Sequence, residues 1–373
     1  MRLRLPGSAV AVLCAATVLT AGCARFDNAV SEPFTTEPEM VAGQTSTPPP
    51  PPPLPPTPFP KACPQPANVM QGCLESISGL IMGSDAKSAL VAERTTGAIK
   101  EVSVSAEPKV KLTIPVDGSG DGGLMSIVKS PTYSQDRLMY AYISTPTDNR
   151  VVRIAEGDVP KDLLTGIPKG ATGNTGSLIF TSATTLEVQT GDAGDPALAT
   201  DPKSLAGKLI RIEQPTTVGQ VPPTIALSGL GPGGTMCRDP ADNSLYITDR
   251  APAGDRLQRI GSDGRATTVW TWPDRPGVAG CAALGGTVLV NLVNIEQTVA
   301  VQLAQATGAV TGEPENRTIG RGFGHVWPLA VSPDGNVWGA TVNRTAGKPE
   351  KFDDVVFPFI DPTPFPRNGG GAD

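Results

Sequence analysis

Histidine is nearly absent from this chain: one residue in 373, His325. That excludes zinc centres built on two or three imidazoles, and it leaves any serine or cysteine nucleophile a single possible histidine base. Positive charge is also short. The first 22 residues hold Arg2 and Arg4 and no acid, so the remainder carries 28 bases against 36 acids and is a poor partner for nucleic acid. Beyond the amino terminus no apolar run is long enough to span a bilayer. What is abundant is glycine (42) and proline (39), about 22 % of the chain together, which argues against a helix bundle or coiled coil. Apolar residues still make up 39 %, enough for one large core or two smaller ones.

Residues 1–22 read as a secretory signal, with a basic start, an apolar run from Ala9 to Leu19, and small residues ahead of Cys23. Leu19-Thr20-Ala21-Gly22-Cys23 resembles a bacterial lipobox, although Thr20 stands where a larger aliphatic is usual, so plain cleavage and secretion is the alternative. Acyl chains on Cys23 would anchor the protein to the extracytoplasmic face of the cell membrane, each buried methylene contributing about 0.8 kcal/mol. Residues 23–60 form the expected stalk. From Thr47 to Pro60 the proline run favours polyproline II, about 43 Å long at roughly 3.1 Å per residue, and its Thr/Pro mixture also suits O-glycosylation. Residues 361–373, which include Gly369-Gly370-Gly371, read as a disordered tail.

Between these flanks, residues 61–360 repeat one unit: a short apolar strand, a small polar turn, and a second strand rich in β-branched and aromatic residues. Copies open at Gly79, Leu124, Ser177, Thr235, Gly280 and Pro328, roughly 45 to 60 residues apart. The sixth contains Ser332-Pro333-Asp334-Gly335-Asn336, a hairpin with Asp-Gly at its turn. Six units of this size predict an all-β, six-bladed β-propeller; β-sandwiches lack such a repeated unit. The sixth copy has only Val355-Val356-Phe357 as a further strand after Thr341, so a segment around Val69 to Leu74 is the expected donor that closes the ring.

Removing Cys14 with the signal and Cys23 with the lipid leaves four cysteines, an even number in an oxidising compartment. Four allow three connectivities. Cys63 and Cys73 bracket a short loop, while Cys237 and Cys281 hold equivalent innermost-strand positions in successive repeats. The favoured pairs are therefore Cys63–Cys73 and Cys237–Cys281, with free buried thiols as the alternative.

Several repeat segments, read in order, resemble the soluble quinoprotein glucose/sorbosone dehydrogenase family. They are Leu90-Val91-Ala92-Glu93-Arg94-Thr95-Thr96-Gly97, Gly122-Gly123-Leu124-Met125, Gly191-Asp192, Gly207-Lys208-Leu209-Ile210-Arg211-Ile212 and Asp249-Arg250-Ala251-Pro252-Ala253-Gly254-Asp255. With the lipobox and stalk, the whole chain resembles an actinobacterial lipoprotein branch of that group.

The resemblance implies a propeller that oxidises sugars with pyrroloquinoline quinone (PQQ) and calcium. It also implies a histidine base in a His-x-x-Gly segment. Here that segment is Gly173-Asn174-Thr175-Gly176, so Gly173 stands at the base position. The Gly-x-Arg-Asn-Pro segment that holds the cofactor corresponds to Gly229-Leu230-Gly231-Pro232-Gly233-Gly234 and lacks both polar residues, which leaves Asn174 and Asp192 as cofactor contacts. In the calcium loop an acidic pair becomes Asp255-Arg256, leaving Pro252 and Asp255 as metal ligands. His325 is a candidate substitute base, against a plain loop histidine beside Trp327; Asp192 equally suits an Asx turn. The expectation is a lipoprotein whose propeller has lost this chemistry and binds an envelope glycan or protein. The alternative is a PQQ-type sugar or polyol oxidoreductase with an altered site.

Overall fold

The computed structural model describes residues 63–359, apart from residues 65, 67, 105, 217–221, 262, 305–306 and 318–321. The signal segment, Cys23, the Pro-rich stalk and the tail lie outside the described residues. Among the described residues no helix is long and apolar enough to cross a membrane.

Six antiparallel sheets follow one another along the chain. The first is β1 (Ile77–Met82), β2 (Ser88–Glu93), β3 (Ala98–Ser103) and β4 (Ala106–Thr113); the second is β5 (Leu124–Lys129), β6 (Met139–Ser144), β7 (Asn149–Ile154) and β8 (Lys161–Ile167). The third is β9 (Gly176–Phe180), β10 (Thr185–Thr190), β11 (Lys208–Glu213) and β12 (Thr224–Ser228), and the fourth β13 (Met236–Arg238), β14 (Leu245–Ala251), β15 (Gly254–Ile260) and β16 (Ala266–Trp272). The fifth is β17 (Val278–Leu284), β18 (Thr287–Leu292), β19 (Gln297–Gln302) and β20 (Glu315–Arg317); the sixth has three strands, β21 (Val326–Val331), β22 (Val337–Thr341) and β23 (Val356–Phe359). The innermost strands β1, β5, β9, β13, β17 and β21 neighbour one another in a closed circle, β21 meeting β1. This is the six-bladed propeller that the repeats predict.

Because blades stack face to face, the apolar core is divided among the six junctions between them. Tyr142 and Val151 of the second blade meet Leu178 and Val188 of the third. Leu257 and Tyr246 meet Val288 and Val299 between the fourth and fifth blades. Hydroxyls on the inner strands tie neighbours together near the axis. Ser78 donates to Leu124 O, Ser126 Oγ accepts Leu178 N–H (3.2 Å), Ser177 Oγ accepts Met236 N–H (3.1 Å), and Thr235 Oγ1 donates to Ala279 O (3.3 Å).

Ring closure uses the segment the sequence indicated. Gln71 forms a bridge to Val356 on the free edge of β23, with Met70 N–H on Val356 O (2.8 Å) and Val356 N–H on Gln71 O (2.9 Å). Asp354 adds a buried clasp: its carboxylate accepts Thr341 Oγ1–H (2.8 Å) and Asn343 N–H (2.6 Å) on one oxygen, and Ser76 Oγ–H (3.1 Å) from the first blade on the other. Both expected disulfides are present, Cys63–Cys73 with Cα atoms 5.9 Å apart and Cys237–Cys281 with 5.6 Å, the latter joining β13 to β17.

Candidate functional site

The loops that open the blades gather at one end of the axis around a cavity of about 140 Å³ lined by Ser78, Arg94, Asp121, Met125, Thr175 and Trp327, among others. Asp121 organises its rim. One carboxylate oxygen accepts Gly173 N–H at 2.6 Å, and the other accepts the backbone N–H of Asn174 at 3.1 Å and its side-chain amide at 2.8 Å. In the same two loops Lys169 Nζ lies 2.6 Å from Asp117, so the mouths of the second and third blades are laced twice. Carboxylates that accept several N–H groups are strongly held and set loop geometry.

Two guanidiniums face this end. Arg94, next after β2, donates Nη1 to Gly122 O (2.6 Å) and Gly120 O (3.2 Å); burial pulls its pKa below the usual arginine range, with Asp121 opposing. Arg250 on β14 donates Nε to Val278 O (2.8 Å), and its guanidinium carbon lies 5.4 Å from the centre of the Trp327 ring, a cation–π contact. Burial lowers the pKa of Arg250 too, while Asp255 and Asp121 oppose the shift. A guanidinium stays charged in both settings. The cavity thus presents an indole, one carboxylate and a guanidinium within a small volume.

Gly173 has φ 75°, and a Cβ built on it would lie 2.4 Å from Gly194 N and 2.6 Å from Asp192 Oδ1. The direction a side chain would take is therefore filled by the neighbouring turn. Asn174 is fully buried; its amide donates to Asp121 and to Gly170 O (2.9 Å) and accepts from Gly170 N–H (2.9 Å) and Asn149 Nδ2–H (3.2 Å), which uses its donors and acceptor locally. Asp192 is buried and accepts Gly194 N–H at 2.8 Å, an Asx turn; burial raises its pKa, with that bond opposing. His325 does not line the cavity. Its Nε2 lies 3.5 Å from Glu296 Oε1 on the adjoining blade, and its backbone N–H donates to Asn343 Oδ1 at 2.8 Å.

Pro252 and Asp255, the expected metal ligands, lie at and just after the turn between β14 and β15. Asp255 places one oxygen on Gly277 N–H (2.6 Å) and Val278 N–H (2.9 Å), and Pro252 is exposed. Asp249, fully buried, is met by Arg256 Nη2 at 2.6 Å, and Arg256 also reaches Gly229 O at 3.1 Å. Burial pushes the Asp249 carboxyl up, Arg256 opposing. Among the described residues no three His, Cys, Asp or Glu side chains gather where they could hold a metal ion.

Residues 75–230 match the Glucose / Sorbosone dehydrogenase family model. The structure of the PQQ-bound aldose sugar dehydrogenase of Streptomyces coelicolor superposes with a TM-score of 0.68 at 26 % identity, covering 78 % of this chain and 95 % of that one. The chain is a six-bladed propeller similar to that PQQ-bound dehydrogenase. A putative oxidoreductase (glucose dehydrogenase) from Thermus thermophilus has the same fold, with a TM-score of 0.67 at 23 % identity over 78 % of this chain and 98 % of that one. The aldose sugar dehydrogenase YliI of Escherichia coli (strain K12) is 28 % identical over 180 residues, which is 41 % of this chain and about half, 47 %, of that protein.

The sequence places Arg94 and Arg250 within the resembling segments but assigns neither of them, nor Asp121, a role. The partners of Asp121 lie 52 and 53 residues further along the chain. Nothing local to Asp121 marks it.

Proposed function

We propose that this protein is an envelope lipoprotein, anchored through Cys23 to the extracytoplasmic face of the membrane, whose propeller has relinquished PQQ-dependent sugar oxidation and serves as a binding module. The observation that carries this reading is Gly173: the residue at the family's base position has no proton acceptor, and the direction its side chain would take is filled by Gly194 N and Asp192. General-base assistance is worth about 10² to 10⁴ in rate. The replacement of a second acid by Arg256, paired with Asp249, supports it further. The ligand is an envelope glycan or protein presenting a sugar-like group. Trp327 offers an aromatic face to a pyranose, and Asp121 and Arg94 offer polar partners for hydroxyls. At about 140 Å³ the cavity is below the roughly 300 to 1,000 Å³ of pockets that enclose a whole small molecule, so it takes the end of a ligand.

The alternative, an oxidoreductase with an altered site, draws its support from the likeness to the PQQ-bound Streptomyces protein. A dye-linked assay of the protein with PQQ and calcium, run across several aldoses and polyols, separates the two. A rate equal to that of the cofactor alone, with quenching of tryptophan fluorescence by cell-envelope glycan fragments that is lost in Trp327→Phe, is expected. Saturable turnover would overturn the binding-module reading.

A further inference from the structure

The surface that the cavity at the Trp327 end presents is mostly carbon, with Trp327, Met125 and Ala346 in its lining; Ala346 is exposed, at the end of the short helix Asn343–Ala346. Its polar groups are few and specific. Arg94 uses only Nη1 on its two carbonyl acceptors, Gly120 O and Gly122 O, so Nε and Nη2 remain without a partner among the described residues. Those two carbonyls flank Asp121 in the chain. One Asp121 oxygen accepts two N–H groups of Asn174, whereas the other accepts only Gly173 N–H, at 2.6 Å. A carboxylate oxygen has room for about two donors, so the second oxygen keeps an acceptor site. The cavity therefore offers hydrogen-bond donors, one acceptor and a carbon wall, which is the complement of a secondary amide bearing a methyl group.

We propose that the group received here is an acetamido arm, so that the ligand is an N-acetylated sugar; this rests on the binding-module reading above and specifies its ligand. The arm's N–H donates to the spare Asp121 oxygen, its carbonyl accepts from Arg94, and its methyl lies against the Trp327 and Met125 wall. The volume, about 140 Å³, is the room of four or five waters at roughly 30 Å³ each, enough for the few heavy atoms of an acetamide and too little for a pyranose ring, which stays at the rim. A hydroxyl in the same place fills less of the space and leaves the carbon wall against water. An ammonium, the deacetylated counterpart, meets two guanidiniums, Arg94 and the Arg250 that stacks on Trp327, against one carboxylate.

The test titrates the full chain with triacetylchitotriose, cellotriose and chitotriose, which share one sugar backbone and carry an acetamido, a hydroxyl or an ammonium group at the same ring carbon. Triacetylchitotriose is expected to bind at least tenfold more tightly than either of the others. Ala346→Leu, which adds bulk at an exposed position of the lining, should remove that preference with an unchanged urea midpoint. Equal affinity for triacetylchitotriose and cellotriose, binding of none of the three, or a preference that survives in Ala346→Leu would each overturn the acetamido assignment. With equal affinities and tryptophan quenching that still depends on Trp327, the binding-module reading stands while this one falls; saturable turnover with PQQ and calcium is the separate result that removes the reading beneath it.

Discussion

Gly173 and Gly157 share almost the same backbone, φ 75° and 78°, in opposite surroundings: a Cβ at Gly157 meets nothing within 4 Å, whereas at Gly173 it lies 2.4 Å from Gly194 N and 2.6 Å from Asp192 Oδ1. Replacing either by alanine forces a side chain into the left-handed region, at about 1 kcal/mol. At position 173 the turn must also move apart. That loosens the Gly173 N–H bond to Asp121 (2.6 Å) and the Gly194 N–H bond to Asp192 (2.8 Å), a form of overpacking that costs about 1 to 3 kcal/mol. Gly173→Ala should therefore destabilise by about 2 to 4 kcal/mol and Gly157→Ala by about 1. Urea unfolding with disulfides intact, compared at equal m-values, reads the difference. If the two variants fall within about 0.5 kcal/mol of each other, the loop has room for a side chain and the closed-position reading of Gly173 is wrong. The same geometry predicts that Gly173→His restores no dehydrogenase activity.

Removing the Cys237–Cys281 disulfide, with its sequence separation of 44, should lower unfolding free energy by about 4 kcal/mol on the chain-entropy estimate, and removing Cys63–Cys73, with a separation of 10, by about 3. Non-reducing peptide mapping that recovers any of these four as a free thiol would reject the pairing. Cys23→Ser should release the protein into the medium or stall it unprocessed; a Ser variant that stays on the membrane with its signal removed would refute lipid anchoring. Asp354 has its pKa raised above 3.8, first by burial, with Asp353 adding and the bonds from Thr341, Asn343 and Arg344 opposing. Its contribution to stability is thus full below the unfolded value and is lost as pH rises through the folded one. The stability margin of the unmodified protein over Asp354→Asn should shrink as pH is raised from about 4 to 7, and a margin that widens would contradict the assignment.

The blades were legible where their strands are buried on both faces. The apolar run Leu124–Val128 marks β5, and Thr287–Val290 marks most of β18, whose six residues are all buried. The outermost strands left little trace because one face meets water. β4 reads AEPKVKLT with no buried residue, and β20 is the three residues ENR. The disulfide between blades was legible because the repeat itself aligns Cys237 with Cys281. The site was less so. Arg250 meets Trp327 only because the ring brings the fourth and sixth blades around one axis, and a pairing of that kind leaves no local spacing to read.

In the proposed reading, two of the three departures from the resembled pattern are directly linked. Where Gly-x-Arg-Asn-Pro would place side chains, this chain has Gly231-Pro232-Gly233, and a Cβ on Gly233 would lie 2.9 Å from Arg250 Cδ and 3.0 Å from Arg250 Nε. The space that a bulkier residue would take belongs to a guanidinium arriving from β14. Between β14 and β15, Arg256 supplies the positive charge that buried Asp249 requires and bonds Gly229 O at the start of the same glycine-rich segment. At Gly173, the base position in the proposed reading, the turn Asp192–Gly194 occupies the space a side chain would need. A buried carboxylate left without a partner costs several kcal/mol, yet Asp192, Asp249 and Asp255 each have hydrogen-bond partners in the present arrangement. Arg256→Glu alone would set a second carboxylate against Asp249, and a side chain at Gly233 alone would displace Arg250 from Trp327. Reverting any one of them alone therefore disturbs contacts now made around it. The site is a self-consistent structure, and its chemistry follows from Trp327, Arg94, Arg250 and Asp121.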